Sequence, residues 1–112
     1  MKNYLGKRVN VIIDRQLSSK HPKYKFIYLL NYGYIPNTVS GDGEEIDAYI
    51  IGEFEPLKRY EGYVVAIIKR ENDVEDKLVV CKDINKYSED QIKALVEFQE
   101  RFFKFKILMN NK

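Results

Sequence analysis

At 112 residues and 13.3 kDa the chain can form one hydrophobic core, burying roughly 65% of its unfolded surface, and residues 1–112 are read as a single domain. Hydrophobic residues at 45% and charged residues at 32% exclude a disordered chain, and 19 Lys and Arg against 17 Asp and Glu, a net charge of +2, are too balanced for a dedicated nucleic-acid binder. One cysteine, Cys81, can close no intramolecular disulfide, and no apolar run has the length of a signal peptide core or a membrane span, so a cytoplasmic protein without membrane contact is expected.

Val9, Val11 and Ile13 alternate with Arg8, Asn10 and Ile12, which predicts a strand over residues 7–14. Residues 17–23 are polar and carry Pro22, so they read as loop, followed by a short strand over 26–30. Gly33, Pro36, Gly41 and Gly43 punctuate residues 31–45, a long turn-rich stretch of the kind that often carries function. Strands are expected over 46–51, 62–69 and 77–82, with Glu71, Asn72 and Asp73 turning between the last two. Ser88 followed three residues later by Gln91 is a capping-box pattern, and Ile92, Leu95, Val96, Phe102 and Phe103 recur at helical spacing. A helix over 89–104 follows, with residues 110–112 expected to fray. Short strands followed by one amphipathic helix predict a mainly β, α+β fold: a small barrel over about 7–82 with the helix packed against it.

Asp42-Gly43-Glu44-Glu45-Ile46-Asp47 places four carboxylates in six residues. Such crowding of like charge suits hard divalent cations, which take oxygen ligands and can activate water, although taken alone an acidic glycine-containing loop is more often a solvated turn. Strand alternation puts Glu75 and Lys77 on one face, where a metal ligand and a phosphate-binding ammonium could lie side by side, or simply an exposed acid and base. Nine Tyr and six Phe with no Trp leave an aromatic excess, and the hydroxyls of Tyr28, Tyr32 and Tyr34 could serve packing or polar work. Lys20, Lys23 and Lys25 could bind an anion or stand solvated; the lone His21 has no Ser or Cys partner that would make a triad.

In order and spacing, Asn31-Tyr32-Gly33-Tyr34-Ile35-Pro36, then Asp42-Gly43-Glu44-Glu45-Ile46-Asp47-Ala48, then Glu75-Asp76-Lys77-Leu78-Val79 resembles the soluble inorganic pyrophosphatases of the first family, over roughly residues 9–80 and more weakly the final helix. The resemblance implies an OB-like closed barrel and magnesium-dependent hydrolysis of pyrophosphate, or a related small phosphoanhydride, to two phosphates. Carried over by position, it implies metal ligands at Asp42, Asp47, Glu75 and Asp14, with Asp47 bridging two ions. Glu44 takes the place of the carboxylate that receives a proton from the attacking water, and Tyr32 that of a tyrosine near the water and metals. Lys23, Tyr28 and Lys77 take the places of substrate-binding groups.

The chain departs from that pattern as well. Between Lys23 and Tyr28 the family's longer, arginine-bearing hairpin is absent, with Arg15 and Lys20 as stand-ins. A further ligand is expected at Glu71 or Asp73, and Phe102-Phe103-Lys104 replaces a phosphate-binding Tyr-Lys pair, with Lys104 displaced by one residue. Phe103 and Phe105 could serve the core or a homo-oligomer interface. These departures raise the alternative of a non-catalytic member that binds a phosphorylated metabolite or a protein partner.

Overall fold

The computed structural model describes residues 1–71 and 75–110. The predicted alternation of the first strand is realised in β1 (Arg8–Arg15), where Val11 and Ile13 turn inward. β2 (Asn31–Ile35), β3 (Ile46–Ile50), β4 (Arg59–Arg70) and β5 (Asp76–Cys81) follow, then α1 (Glu89–Glu100) and β6 (Phe105–Met109). The strands pair in the order β1-β2-β3-β5-β4, and β4 returns to β1, which closes the barrel and leaves no free edge within that ring. β4 is long enough to serve twice. Its first half pairs with β1 from Arg59 to Tyr63, and its second half pairs with β6 from Ala66 to Arg70.

Two apolar clusters lie on opposite faces of this sheet. Val11, Ile46, Ala48, Ile50, Ile67, Leu78 and Val80 fill the barrel, whereas Tyr49, Ile51, Val65, Ile68, Val79 and Cys81 face outward against Ile92 and Val96 of the helix. Over residues 64–68 β4 is apolar on both faces, and its register shift between Val64 and Ala66 lets Val65 and Ala66 join the outer cluster while Ile67 returns inward. The helix begins as its sequence predicts: the Ser88 hydroxyl accepts the Gln91 N–H, and the Gln91 side chain accepts the Ser88 N–H.

Three expectations are corrected. Residues 31–35 form a strand, not a turn. Gly33 sits there because β1 crosses it so closely that a Cβ would lie 1.9 Å from the Ile12 carbonyl oxygen. Residues 26–30 form no strand; a single bridge joins Lys20 to Ile27 within a short hairpin. The helix stops at Glu100, four residues before its expected end at Lys104, where Phe103 N–H turns back to the Glu100 carbonyl at 2.9 Å. Phe105 and buried Ile107 then gain more from pairing with the second half of β4 than from a further helical turn. The expected turn at Asn72 and Asp73, Asp73 as a ligand, and the fraying tail at Asn111 and Lys112 lie outside the described residues. Among the described residues no helix is long and apolar enough to cross a membrane.

Candidate active site

The outward face of β3 carries Asp47 beside Tyr49, and the parallel register of β3 and β5 sets Lys77 directly opposite Asp47. Lys77 is only 3% exposed, and its ammonium donates to Asp47 Oδ2 at 2.6 Å and to Glu75 Oε1. The Tyr32 hydroxyl donates to the same Asp47 oxygen at 3.1 Å, and the Lys77 ammonium stands 5.7 Å from the centre of the Tyr32 ring. Burial, reinforced by the Asp47 charge, pushes the Tyr32 phenol well above its usual range, so the hydroxyl stays a proton donor.

A second polar group adjoins the first. Arg70, at the end of β4, donates to the Glu100 carboxylate through Nε at 3.0 Å and Nη2 at 2.7 Å, and its Nη1 lies 3.7 Å from Glu75 Oε1. Burial opposes the Arg70 charge, but hydrogen bonding and attraction from Glu100 outweigh it and raise its pKa. Tyr49 donates to Glu100 at 2.6 Å, Gln99 donates to Tyr49 at 2.6 Å, and Tyr28 donates to Gln99 at 2.9 Å. Glu75 is the hinge between the two groups, since it touches both Lys77 and Arg70.

The acidic loop is held by its own side chains. Asp42 accepts from the Ser40 hydroxyl and from the Glu44 N–H, the latter at 2.9 Å, and Ser40 N–H closes the loop onto the Glu44 carbonyl. Asp42 also shares a hydrogen bond with Glu75, and this contact, ahead of Ser40 and the Glu44 N–H, holds the Asp42 carboxyl far below the usual carboxylate range. Glu75 responds in the opposite sense: burial first, then Asp42, raises its pKa against the pull of Lys77. Asp14, at the end of β1, is raised chiefly by burial, with Arg15 opposing and Asp47 adding a little.

The residues expected from the sequence thus divide. Tyr32, Asp47, Glu75 and Lys77 meet directly, Asp42 joins them through Glu75, and Asp14 and Tyr28 line the same cavity of about 520 Å³. Glu44 is exposed on the loop, and Lys23 places its ammonium 5.3 Å from the Tyr24 ring centre; neither lines the cavity. Of the two stand-ins for an arginine, Arg15 lines the cavity and Lys20 does not. Lys104 lies beyond the helix, and its carbonyl accepts the Glu71 N–H. Phe105 packs on the core, whereas Phe103 stays 41% exposed with its ring centre 3.7 Å from the Arg70 guanidinium.

Sequence reasoning missed Arg70, Glu100, Gln99 and Tyr49. Arg70 left little signal, since its strand also carries the charged Arg59, Glu61 and Lys69. Asn31, read as part of a motif, is a buried tie: its Oδ1 accepts the N–H groups of Leu17 and Leu57, and its Nδ2 donates to the Glu55 carbonyl. That tie fixes the start of the hairpin that walls the cavity.

Asp42, Asp47 and Glu75 offer only carboxylate oxygens, the donors a hard cation such as magnesium takes, and Asp42 and Glu75 are in contact although both are acids. The donor chemistry therefore fits a divalent cation. The Lys77 ammonium lies between Asp47 and Glu75, however, and among the described residues no three acidic, His or Cys side chains are arranged as a group that could hold an ion.

Comparison with known proteins places the chain in a family. The model of the family described as inorganic pyrophosphatase matches residues 7–106. An inorganic pyrophosphatase of Xylella fastidiosa (strain 9a5c) is 34% identical over 80 residues, a match that covers 56% of this chain and 43% of that protein. The matched part therefore spans less than half the length of that relative. The crystal structure of inorganic pyrophosphatase from Ehrlichia chaffeensis superimposes with a TM-score of 0.73 at 19% identity, covering 95% of this chain and 88% of that one. The inorganic pyrophosphatase of Helicobacter pylori gives 0.64 at 17% identity, covering 97% and 87%. The fold is shared with both, and with residues 7–106 matched, the chain belongs to the inorganic pyrophosphatase family.

Proposed function

We propose that this protein is a cytoplasmic enzyme that hydrolyses inorganic pyrophosphate to two phosphates with magnesium. The observation that carries the reading is the junction of Lys77, Asp47 and Tyr32 in the lining of one cavity, with Glu75 bonded to Lys77. Asp42, Asp47, Glu75 and Asp14 would hold the metal, which when bound supplies water activation and neutralises phosphate charge. In the reaction a bond forms between the water oxygen and one phosphorus, the bridging P–O bond breaks, and its electron pair leaves with the second phosphate. The water proton passes to a carboxylate, assigned to Glu44. Lys77 would donate to the leaving phosphate, while the Tyr32 hydroxyl keeps Asp47 oriented. Lys23 and Tyr28 are the further substrate contacts, Tyr28 from the cavity wall and Lys23 from the hairpin outside it.

One observation favours a second reading. Lys77 pairs with both Asp47 and Glu75, so two carboxylates of the expected metal set already hold a cation supplied by the chain itself, as in a module that binds a phosphorylated metabolite without catalysis. Phosphate release from pyrophosphate under magnesium titration separates the two, with Asp47→Asn and Glu44→Gln as controls. Metal-dependent turnover lost in both variants supports the enzyme; metal-dependent pyrophosphate binding without turnover supports the module.

A further inference from the structure

The cavity beside Asp47 is charged in one part and aromatic in another. From Tyr32, whose hydroxyl bonds Asp47, rings follow one another outward: Tyr28 at 5.7 Å, Phe26 a further 5.4 Å on, Phe102 a further 5.9 Å and Tyr24 a further 6.0 Å, between centres. Phe102 and Tyr24 lie near parallel, with 23° between their planes. They are 58% and 62% exposed, so neither is explained by burial in the core.

The hairpin that carries Tyr24 is built to hold it in place. Ser18 N–H donates to the Tyr28 carbonyl, Tyr28 N–H to the Ser19 carbonyl and His21 N–H to the Phe26 carbonyl, each at 2.8 Å. Its two corners, Ser18 at φ 77° and Lys25 at φ 64°, take the left-handed region without glycine. At the tip, His21 Nδ1 accepts the N–H groups of Lys23 and Tyr24 at 3.0 and 3.1 Å, while its ring packs 5.0 Å from Tyr24 and 4.8 Å from Phe26. The exposed aromatic surface is therefore ordered before any ligand arrives, which lowers the cost of binding a flat group against it. A volume of about 520 Å³ is of the size that holds a small organic ligand, and more than bare pyrophosphate fills.

We propose that the rings of Tyr24 and Phe102 form a subsite for the planar base of a nucleoside diphosphate, whose diphosphate lies against Lys77. The assignment rests on the phosphoanhydride reading of the charged part of the cavity. Stacking needs only a π face, so the subsite accepts purines and pyrimidines alike.

Calorimetric titration of the protein with ADP and with methyl diphosphate, both in magnesium buffer, tests the assignment. The expected result is a preference for ADP of about tenfold or more, which Tyr24→Ala and Phe102→Ala each reduce several-fold. Phe102→Leu keeps the apolar bulk but loses the π face, and it should show the same loss. Equal affinity for the two ligands, or a preference that survives all three substitutions, overturns the subsite. So does sedimentation showing a dimer that dissociates on Tyr24→Ala or Phe102→Ala, since the rings then join two copies of the chain. Ring-dependent ADP binding with no phosphate release from pyrophosphate leaves the subsite standing and removes the pyrophosphatase reading. Turnover of pyrophosphate with no ring-dependent preference does the reverse.

Discussion

Arg70 and Glu100 meet edge to edge through two hydrogen bonds of 3.0 and 2.7 Å, with the carboxylate fully buried between β4 and the end of α1. Such a pair gains little over a well-packed apolar pair, because both charges must be stripped of water, but removing one partner leaves the other buried and uncompensated. Arg70→Met is therefore expected to destabilise the fold by about 3 to 5 kcal/mol. Adding Glu100→Gln to it should recover part of that loss, since the stranded charge disappears. Urea midpoints of the single and double variants decide the matter: a double variant no more stable than Arg70→Met would mean that the charge on Glu100 is not the source of the cost.

Gly33 is required by the crossing of β1 over β2. A methyl there would stand 1.9 Å from the Ile12 carbonyl oxygen, and the obstacle is backbone, which cannot rotate away. Gly33→Ala is expected to cost at least about 2 kcal/mol, in the range of overpacked cores. Because Tyr32 adjoins Gly33, the displaced strand would also lengthen the bond from the Tyr32 hydroxyl to Asp47. Thermal unfolding reads the first effect, and a Tyr32 phenol that titrates closer to its ordinary range reads the second.

These two sites show why some of the molecule was legible and some was not. β1, β3 and β5 announce themselves because apolar residues at a period of two face the barrel, and Asp47 and Lys77 were found through short local motifs on two of its strands. β2 was hidden: its central inward position is Gly33, whose meaning depends on the crossing of Ile12 and Ile13, far earlier in the chain. β6 carried a signal in Phe105, Ile107 and Met109, but the helical spacing of Phe102 and Phe103 masked it, and only the free length of β4 decides in favour of a strand. Arg70 and Glu100 lie 30 residues apart, and no periodicity links the end of a strand to the end of a helix. The hairpin was unreadable for a related reason, since its shape hangs on His21 Nδ1 accepting backbone N–H groups.

Lys77 pairs with both Asp47 and Glu75, which puts its one positive charge where a cation would otherwise be drawn. Lys77→Met removes that competing charge while keeping the stem that packs in the sheet. Magnesium affinity, measured by calorimetry on the protein alone, is expected to rise several-fold, whereas pyrophosphate affinity should fall by tenfold or more as the donor to phosphate is lost. An unchanged magnesium affinity would show that Lys77 does not compete for the carboxylates.

His21 ties the order of the hairpin to pH. Its Nδ1 must be unprotonated to accept the Lys23 and Tyr24 N–H groups, and burial, with smaller contributions from Arg15 and Lys23, lowers its pKa below the ordinary 6.5. In the unfolded chain the imidazole takes a proton near 6.5; in the folded chain it resists until the pH is lower. The unfolded state thus binds more protons between the two values, so the stabilisation is complete above 6.5 and lost as the pH falls through that window. His21→Asn supplies an acceptor oxygen that does not titrate. Amide exchange at Lys23 and Tyr24 should accelerate relative to neighbouring amides on moving from pH 7.5 to about 5.5 in the wild type, and the asparagine variant should show no such relative change. Equal acceleration in both proteins would place the pH response elsewhere.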